Sequence, residues 1–258
     1  MESLDARMKR YESVPKQMLM RRTPVIMRLD GNAFHTFTKG LPKPFYSGIT
    51  YAMKMTMKYL CEHISGCVLG YTQSDEITLV ICDYQKLTTD AWFNYGVQKM
   101  CSIASSFATF AFTKNLREHI VAIKQTSSPD SDEYKITDKL DKRLDGGAFF
   151  DCRVFNLQKE EVNNCLVWRQ QDAVRNSISA LAQSVFSAKE LHGLKQADMK
   201  AKLLSEKGID FDKLPLFQQR GRCCVKTLFT DGVHRWTIDD MIPIFSEHSD
   251  YVNNRIVF

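Results

Sequence analysis

Apolar residues recur along this chain with two periods, and each change of period marks an element. Pro24 to Asp30 is an apolar, β-branched run that reads as a buried strand ending in an acid. After Lys39-Gly40-Leu41-Pro42-Lys43-Pro44, the residues Ile49, Met53, Met57, Leu60, Cys61 and Ile64 fall at helical spacing and predict an amphipathic helix. Cys67 to Gln73 and Ile77 to Cys82 read as two strands around the turn Ser74-Asp75-Glu76, a hairpin with carboxylates at its tip. Leu87 to Phe112 predicts a second long helix whose buried stripe is Trp92, Val97, Met100, Ile103, Ala104, Phe107 and Ala111. Gln125 to Gly147 is polar, charged and turn-rich, and reads as a loop or mobile excursion. Strand character returns at Phe149 to Phe155.

From Lys159 the pattern is helical, through Val162 to Phe186 and again through Leu191 to Leu204. Arg222 to Phe229 and Val233 to Ile238 close the chain as a hairpin around Thr230-Asp231-Gly232. Strand, helix, hairpin, helix, strand is a split βαβ order, which calls for an antiparallel sheet with helices on one face, an α+β fold of ferredoxin-like type. Residues 1–156 are expected to form this sheet domain, and 157–258 a helical and hairpin part packed intimately against it.

Composition narrows the class further. A chain of 258 residues, 44% hydrophobic and 25% charged, can bury a substantial core and has the make-up of an ordinary soluble globular protein. The first 22 residues mix Lys and Arg with Glu2, Asp5 and Glu12 and hold no apolar core segment, so neither a secretion signal nor a membrane partner is expected, and the cytosol is the expected compartment. The eight cysteines fall largely within apolar runs and read as reduced core residues. No Cys-x-x-Cys or His-Glu-x-x-His pattern occurs, which argues against zinc. The net charge of +5 is modest, but residues 185–230 carry nine Lys or Arg against five acids, a surplus consistent either with contact to a phosphate backbone or with a solvated face.

The candidate chemistry lies at strand ends. Asp30 ends the first strand and Asp75-Glu76 tips the hairpin. Turn propensity alone can place an acid at a strand end, but two such ends brought together make an oxygen-ligand site for a hard divalent cation, with Mg²⁺ and a nucleoside triphosphate as the first expectation. Gly31 permits close backbone approach to such an ion, and Ser74 can donate to a phosphate.

The wording of the motifs goes further. Arg28-Leu29-Asp30-Gly31-Asn32-Ala33-Phe34-His35-Thr36-Phe37, Lys43-Pro44 and Ser74-Asp75-Glu76 strongly resemble the tRNA-histidine guanylyltransferase family, which adds nucleotides in the 3′ to 5′ direction. The likeness continues through Trp92-Phe93 to Lys99, Ala104 to Ala108, Phe150-Asp151-Cys152-Arg153, Trp168-Arg169-Gln170-Gln171-Asp172, and Leu214-Pro215 to Arg220-Gly221, roughly residues 5–227. The resemblance implies a polymerase-palm-like sheet in which Asp30, Asp75 and the Gly31 carbonyl hold two Mg²⁺, with Glu76 as an accessory acid and Lys43 among the catalytic residues. It implies a nucleotide site formed by Arg28, Gly31, Asn32, Ala33, Phe34, His35, Ser74, Lys99 and Arg153, where cations meet triphosphate oxygens. It implies RNA contacts through Arg175, Asn176, Lys200 and Arg220, tRNA, ATP, GTP and other nucleoside triphosphates as substrates, and a homotetramer.

Two departures stand out. Where tRNA-histidine guanylyltransferases proper carry His-Ile-Asn-Asn-Leu-Tyr-Asn, this chain has Val174-Arg175-Asn176-Ser177-Ile178-Ser179-Ala180, a pattern similar to the guanylyltransferase-like proteins that repair 5′-truncated tRNA on a template. The family's Gly in Phe-Asp-Gly-Arg is Cys152. Template-dependent 5′-end repair with activation by ATP is the expected function. The alternatives are guanylyltransfer to tRNA-histidine proper, a palm-type cyclase or small-molecule nucleotidyltransferase with no RNA, and an RNA-binding module without catalysis. Intact Asp30, Asp75 and Glu76 speak against the last, because clustered carboxylates repel one another unless a cation offsets the cost.

Overall fold

The computed structural model describes residues 2–258. Helix α1 (Leu4–Ser13) is capped by the Ser3 hydroxyl and buries no side chain. Strand β1 (Val25–Gly31), the short helix α2 (Phe34–Phe37), helix α3 (Ser47–His63) and the hairpin β2 (Cys67–Gln73) and β3 (Glu76–Ile81) follow in the expected order. Then come α4 (Val97–Thr126), α5 (Asp132–Asp145), β4 (Phe150–Asn156), α6 (Lys159–Val185), α7 (Ala188–Leu191), α8 (Gln196–Lys207) and α9 (Leu216–Arg220). Strands β5 (Arg222–Leu228) and β6 (His234–Asp239) and the short α10 (Asp250–Asn253) complete the chain.

The six strands form one antiparallel sheet in the order β4-β1-β3-β2-β5-β6. The first four keep the split βαβ connectivity that the period changes predict. β5 pairs with β2, Arg222 opposite Thr72, so the sheet runs on past residue 157 into the later half of the chain. Gly221 makes that junction possible: its φ of +82° lies in the left-handed region, and a Cβ there would sit 2.6 Å from the Thr72 carbonyl oxygen.

Alternation along β1 divides the core. Val25, Met27 and Leu29, with Ile77, Leu79 and Ile81 of β3, face α3 and α4. Ile26 and Val80 face the other way, where Val162 and Leu166 of α6 and Ile242, Phe245, Val252 and Ile256 cover them. Helices on one face therefore describe α3 and α4 only, because a sheet whose central strands are apolar on both sides needs a second layer. Asn163 and Gln170 on α6 fix that layer by donating to the Phe245 and Pro243 carbonyls at 3.2 and 2.9 Å. Beyond the sheet, Ile178, Leu181 and Ala182 of α6 pack with Phe186, Leu191, Leu203 and Phe211 in a separate small core.

Two expectations need correction. The second long helix starts at Val97, not Leu87, because Phe93, Asn94 and Tyr95 all have positive φ and break it. It then runs to Thr126, since Ala104, Ala108, Phe112, Leu116 and Ile120 continue the buried stripe every four residues. The polar stretch 125–147 is no excursion: Ser131 caps α5 by accepting from the Tyr134 amide. Thr137, Leu140 and Leu144 are buried, and Lys124 of α4 donates to Asp138 and Asp141 at 2.9 and 2.8 Å. Its apolar stripe, Ile136, Leu140 and Leu144 at four-residue spacing, is short and set among charged residues, so the polar composition masks it.

Candidate active site

The turn that carries Asp75 is the shortest a hairpin allows. Gln73 pairs with Glu76, leaving Ser74 and Asp75 as a two-residue loop, with Ser74 at φ +49°. The Asp75 carbonyl accepts from the Gly31 amide at 3.0 Å, which ties this turn to the end of β1. Gly31 itself tolerates no side chain, because a Cβ would stand 2.4 Å from the Phe34 ring. Register then brings four carboxylates to one end of the sheet, with Asp30 opposite Glu76 on one side and Asp151 on the other, and Asp75 at the adjoining turn.

Charge partners separate these acids into two kinds. Glu76, 6% exposed, accepts at Oε2 from Arg28 Nη2 at 3.0 Å and from Arg169 Nη1 at 2.8 Å. Asp151 is paired with Arg153 at 3.0 Å. Asp30 and Asp75 form no salt bridge among the described residues, and Asp75 accepts only from the Ser74 hydroxyl, at 2.9 Å, among side chains. Burial, followed by the charges of Asp75, Glu76 and Asp151, pushes the Asp30 carboxyl above the ordinary carboxylate range. Two unneutralised carboxylates on adjoining ends, one already raised in pKa by burial and by its neighbours, could serve as oxygen donors to a hard cation. No three His, Cys, Asp or Glu side chains are grouped for one ion among the described residues, so ligands beyond these two acids have to come from the backbone or from a bound substrate.

This placement carries a prediction. The Asp30 proton is held more tightly in the folded than in the unfolded chain, so stability linked to it is complete at acid pH and is lost as pH rises through the raised value. Asp30→Asn should therefore melt at a higher temperature than the parent at pH 7 in the presence of a chelator, with the gap closing toward pH 4. Thermal unfolding at both pH values checks it. A variant that melts lower at pH 7 contradicts the electrostatic account.

Beside Asp75 opens a cavity of about 370 Å³, bounded by the segment joining α2 to α3, the Ser74-Asp75 turn, α6 and α9. His35, Lys43, Ser74 and Asn176 line it, as do Tyr46, Gln218 and Arg222. Phe34 reaches its wall but is chiefly core, with its ring 5.1 to 5.3 Å from those of Phe37, Phe112 and Phe150. The Asn32 amide donates to the Phe149 carbonyl, and Ala33 adopts φ +54° to turn the chain into α2. Arg28 and Arg153 stand opposite one another on β1 and β4, on the same face as Asp30.

Other expected site residues lie elsewhere. Lys99 sits in the first turn of α4, over the Phe93 ring, next to the segment that leads into Val25, and Val25 is about 17 Å of strand from Asp30. Arg175 pairs with Asp172 at 2.7 Å, Lys200 with Asp212 at 2.7 Å, and Arg220 donates through Nε to the Ile242 carbonyl. Much of the 185–230 surplus is matched in the same way: Lys202 pairs with Glu206, Lys213 with Asp210, and Arg222, buried under the Phe217 ring, with Asp240. Two residues of the site went unassigned from sequence, Asp151 and Arg169. Alternation along Phe150-Asp151-Cys152-Arg153 puts Asp151 on the Asp30 face, a usable signal, whereas nothing local links Arg169 to an acid 93 positions away.

Residues 5–158 match the family described as tRNAHis guanylyltransferase. Among solved structures, a bacterial tRNA(His) guanylyltransferase-like protein in complex with ATP is 41% identical, the alignment covering 99% of this chain and 100% of that one at a TM-score of 0.84. The bacterial guanylyltransferase-like protein in complex with GTP is 37% identical over the full length of both chains, with a TM-score of 0.81. The tRNA(His) guanylyltransferase of Saccharomyces cerevisiae, 20% identical over 87% of this chain and 92% of its own at a TM-score of 0.59, shares the fold.

Proposed function

Because this chain belongs to the tRNAHis guanylyltransferase family, we propose that it is the template-dependent, repair-type member, adding nucleotides to the 5′ end of truncated tRNA after activation of that end by ATP. It is a nucleotidyltransferase of the 3′-5′ kind that acts on tRNA. The observation that carries the reading is the pair Asp30 and Asp75, without basic partners, beside a cavity of nucleotide size that Lys43 and His35 line. The strand order β4-β1-β3-β2 supports a palm-like domain over 1–156, while tRNA contact by 157–258 and a homotetramer as the working assembly are proposed on the family resemblance alone.

Asp30, Asp75 and the Gly31 carbonyl are the groups to hold two Mg²⁺, which when bound activate the attacking oxygen and stabilise the leaving pyrophosphate. Lys43 and Ser74 meet the triphosphate where it emerges from the cavity, the lysine as a charge and the serine as a hydroxyl donor. His35, on the cavity wall, contacts the nucleotide beside them. Glu76 acts through Arg28, whose guanidinium it holds on the Asp30 face of the sheet. Asn176 and Ala180 of α6 line the same cavity, so the departure at Val174 to Ala180 alters its wall directly. That supports repair over untemplated guanylylation.

The test gives 5′-truncated tRNAs, varied only at the facing base, an equal mixture of the four nucleoside triphosphates with Mg²⁺ and ATP, followed by sequencing of the 5′ ends. A facing C should take G and a facing A should take U. Pair discrimination of about 1 to 3 kcal/mol leaves some misincorporation, so the preference is a ratio and not absolute. Addition of G whatever the facing base, and only to tRNA-histidine, would restore the guanylyltransferase proper.

A further inference from the structure

The face of the sheet beside Asp30 holds residues that the cavity does not use. Arg28 and Arg153, Asp30 and Asp151 stand opposite one another there, turned toward α6, and β4 is the outermost strand. Trp168 of α6 reaches the first of them, Arg28. Its ring centre lies 5.3 Å from the Arg28 guanidinium carbon and 3.6 Å from that of Arg169. Both guanidiniums are pinned at their other ends by the buried Glu76 carboxylate, so the indole is braced from the sheet and from its own helix. Trp168 nevertheless stays 48% exposed. The covered part of the ring is accounted for by packing, but the open part adds nothing to the fold. Arg169 covers one face of the ring, and the aromatic surface left open, held rigid next to two arginines, is of the kind a nucleobase stacks on.

We propose that Trp168 stacks the terminal nucleobase of the RNA 5′ end and so positions that end over Asp30, with the exposed Arg153 offered to a backbone phosphate. The inference rests on the nucleotidyl-transfer reading and names the surface that receives the RNA. The cavity beside Asp75 suits a free nucleotide, whereas Trp168 lies outside that cavity's lining and keeps an exposed surface where the end of a polymer can enter and leave. Stacking is indifferent to sequence because every base has a π face, which fits an enzyme that has to accept many different 5′ ends. Trp168 is a positioning residue in this scheme. It moves no proton and holds no ion.

The experiment pairs the parent, Trp168→Phe and Trp168→Leu with 5′-truncated tRNAs whose terminal nucleotide is either intact or abasic, reading KM for RNA, KM for the nucleoside triphosphate and kcat. Trp168→Leu should raise KM for intact RNA by about 5- to 150-fold, and Trp168→Phe by much less. The abasic end should cost the parent a comparable factor and cost Trp168→Leu almost nothing, with KM for the triphosphate unchanged in all three. Equal sensitivity of parent and Trp168→Leu to the missing base overturns the proposal, as does a rise confined to the triphosphate KM. Should Trp168→Leu fail to fold by thermal melting, tryptophan fluorescence decides. Intact RNA should quench the parent more than abasic RNA, and Trp168→Phe should abolish the difference; a difference that persists in Trp168→Phe refutes the assignment. A parent that extends no RNA at all would defeat the nucleotidyltransferase reading itself, which is a different outcome from extension that ignores the terminal base.

Discussion

Asp75→Ala loses on the order of 10³-fold or more in the rate of nucleotide addition while the protein still folds, and Asp30→Ala does the same. The expectation follows from what each carboxylate touches. Neither Asp30 nor Asp75 is held by a basic side chain, so removing either breaks no ion pair, and the turn and strand that carry them are fixed by backbone hydrogen bonds that an alanine keeps. What disappears is the negative charge that offsets two cations as charge develops on the attacking and leaving oxygens. Steady-state rates with a 5′-truncated tRNA, alongside a melting curve, provide the check. Near-normal activity in Asp75→Ala would remove it from the reacting centre.

Arg169→Met should have the opposite profile, a large loss of stability. Arg169 is 5% exposed and Glu76 6%, and methionine fills much of the volume while leaving the Glu76 carboxylate with Arg28 alone. Breaking a buried ion pair from one side costs about 3 to 5 kcal/mol when the remaining charge is left alone, and because Arg28 still meets Glu76 the lower end of that range is expected. For a chain of this size the melting temperature should fall by roughly 10 °C. Glu76→Gln in the same background should recover none of the loss, since it leaves the largely buried Arg28 without a counter-charge, and the non-additivity of the two changes measures the coupling. A variant that melts within a degree of the parent would mean that the bridge between sheet and α6 contributes little. Both arginines also brace Trp168, so the destabilised variant should bind RNA more weakly than its melting point alone explains.

Much of the fold was legible in the sequence, for reasons that are local. Pro24 to Asp30 reads as a buried strand, Ser74-Asp75-Glu76 as a turn between two apolar runs, and the split βαβ order follows from those periods. Of that turn the structure keeps Ser74 and Asp75 as the loop and gives Glu76 to β3. Asp30 and Asp75 were legible as well, because acids that interrupt such runs have to stand where the strands reach solvent. Helix α5 was not. It buries Thr137, Leu140 and Leu144 and is fixed further by Ser131 at its start and by Lys124 from another helix. Period alone cannot weigh a contact with a residue outside the window.

The candidate site divides along the same line. Sequence by itself determined which acids and bases the site could draw on and which strand end each occupies, because alternation and turn chemistry act over a few residues. Tertiary structure decided what each charge is committed to. Glu76 adjoins Asp75 in the chain, yet two arginines neutralise it, one from β1 and one from α6. Lys99 fits a triphosphate-binding motif, yet α4 starts at the far end of the sheet. Arg222 counts toward a basic surplus but lies buried between Phe217 and Asp240. A carboxylate or a guanidinium takes its role from the opposite charges within a few ångströms and from the water left around it, and both are set by which distant segments the fold packs against it.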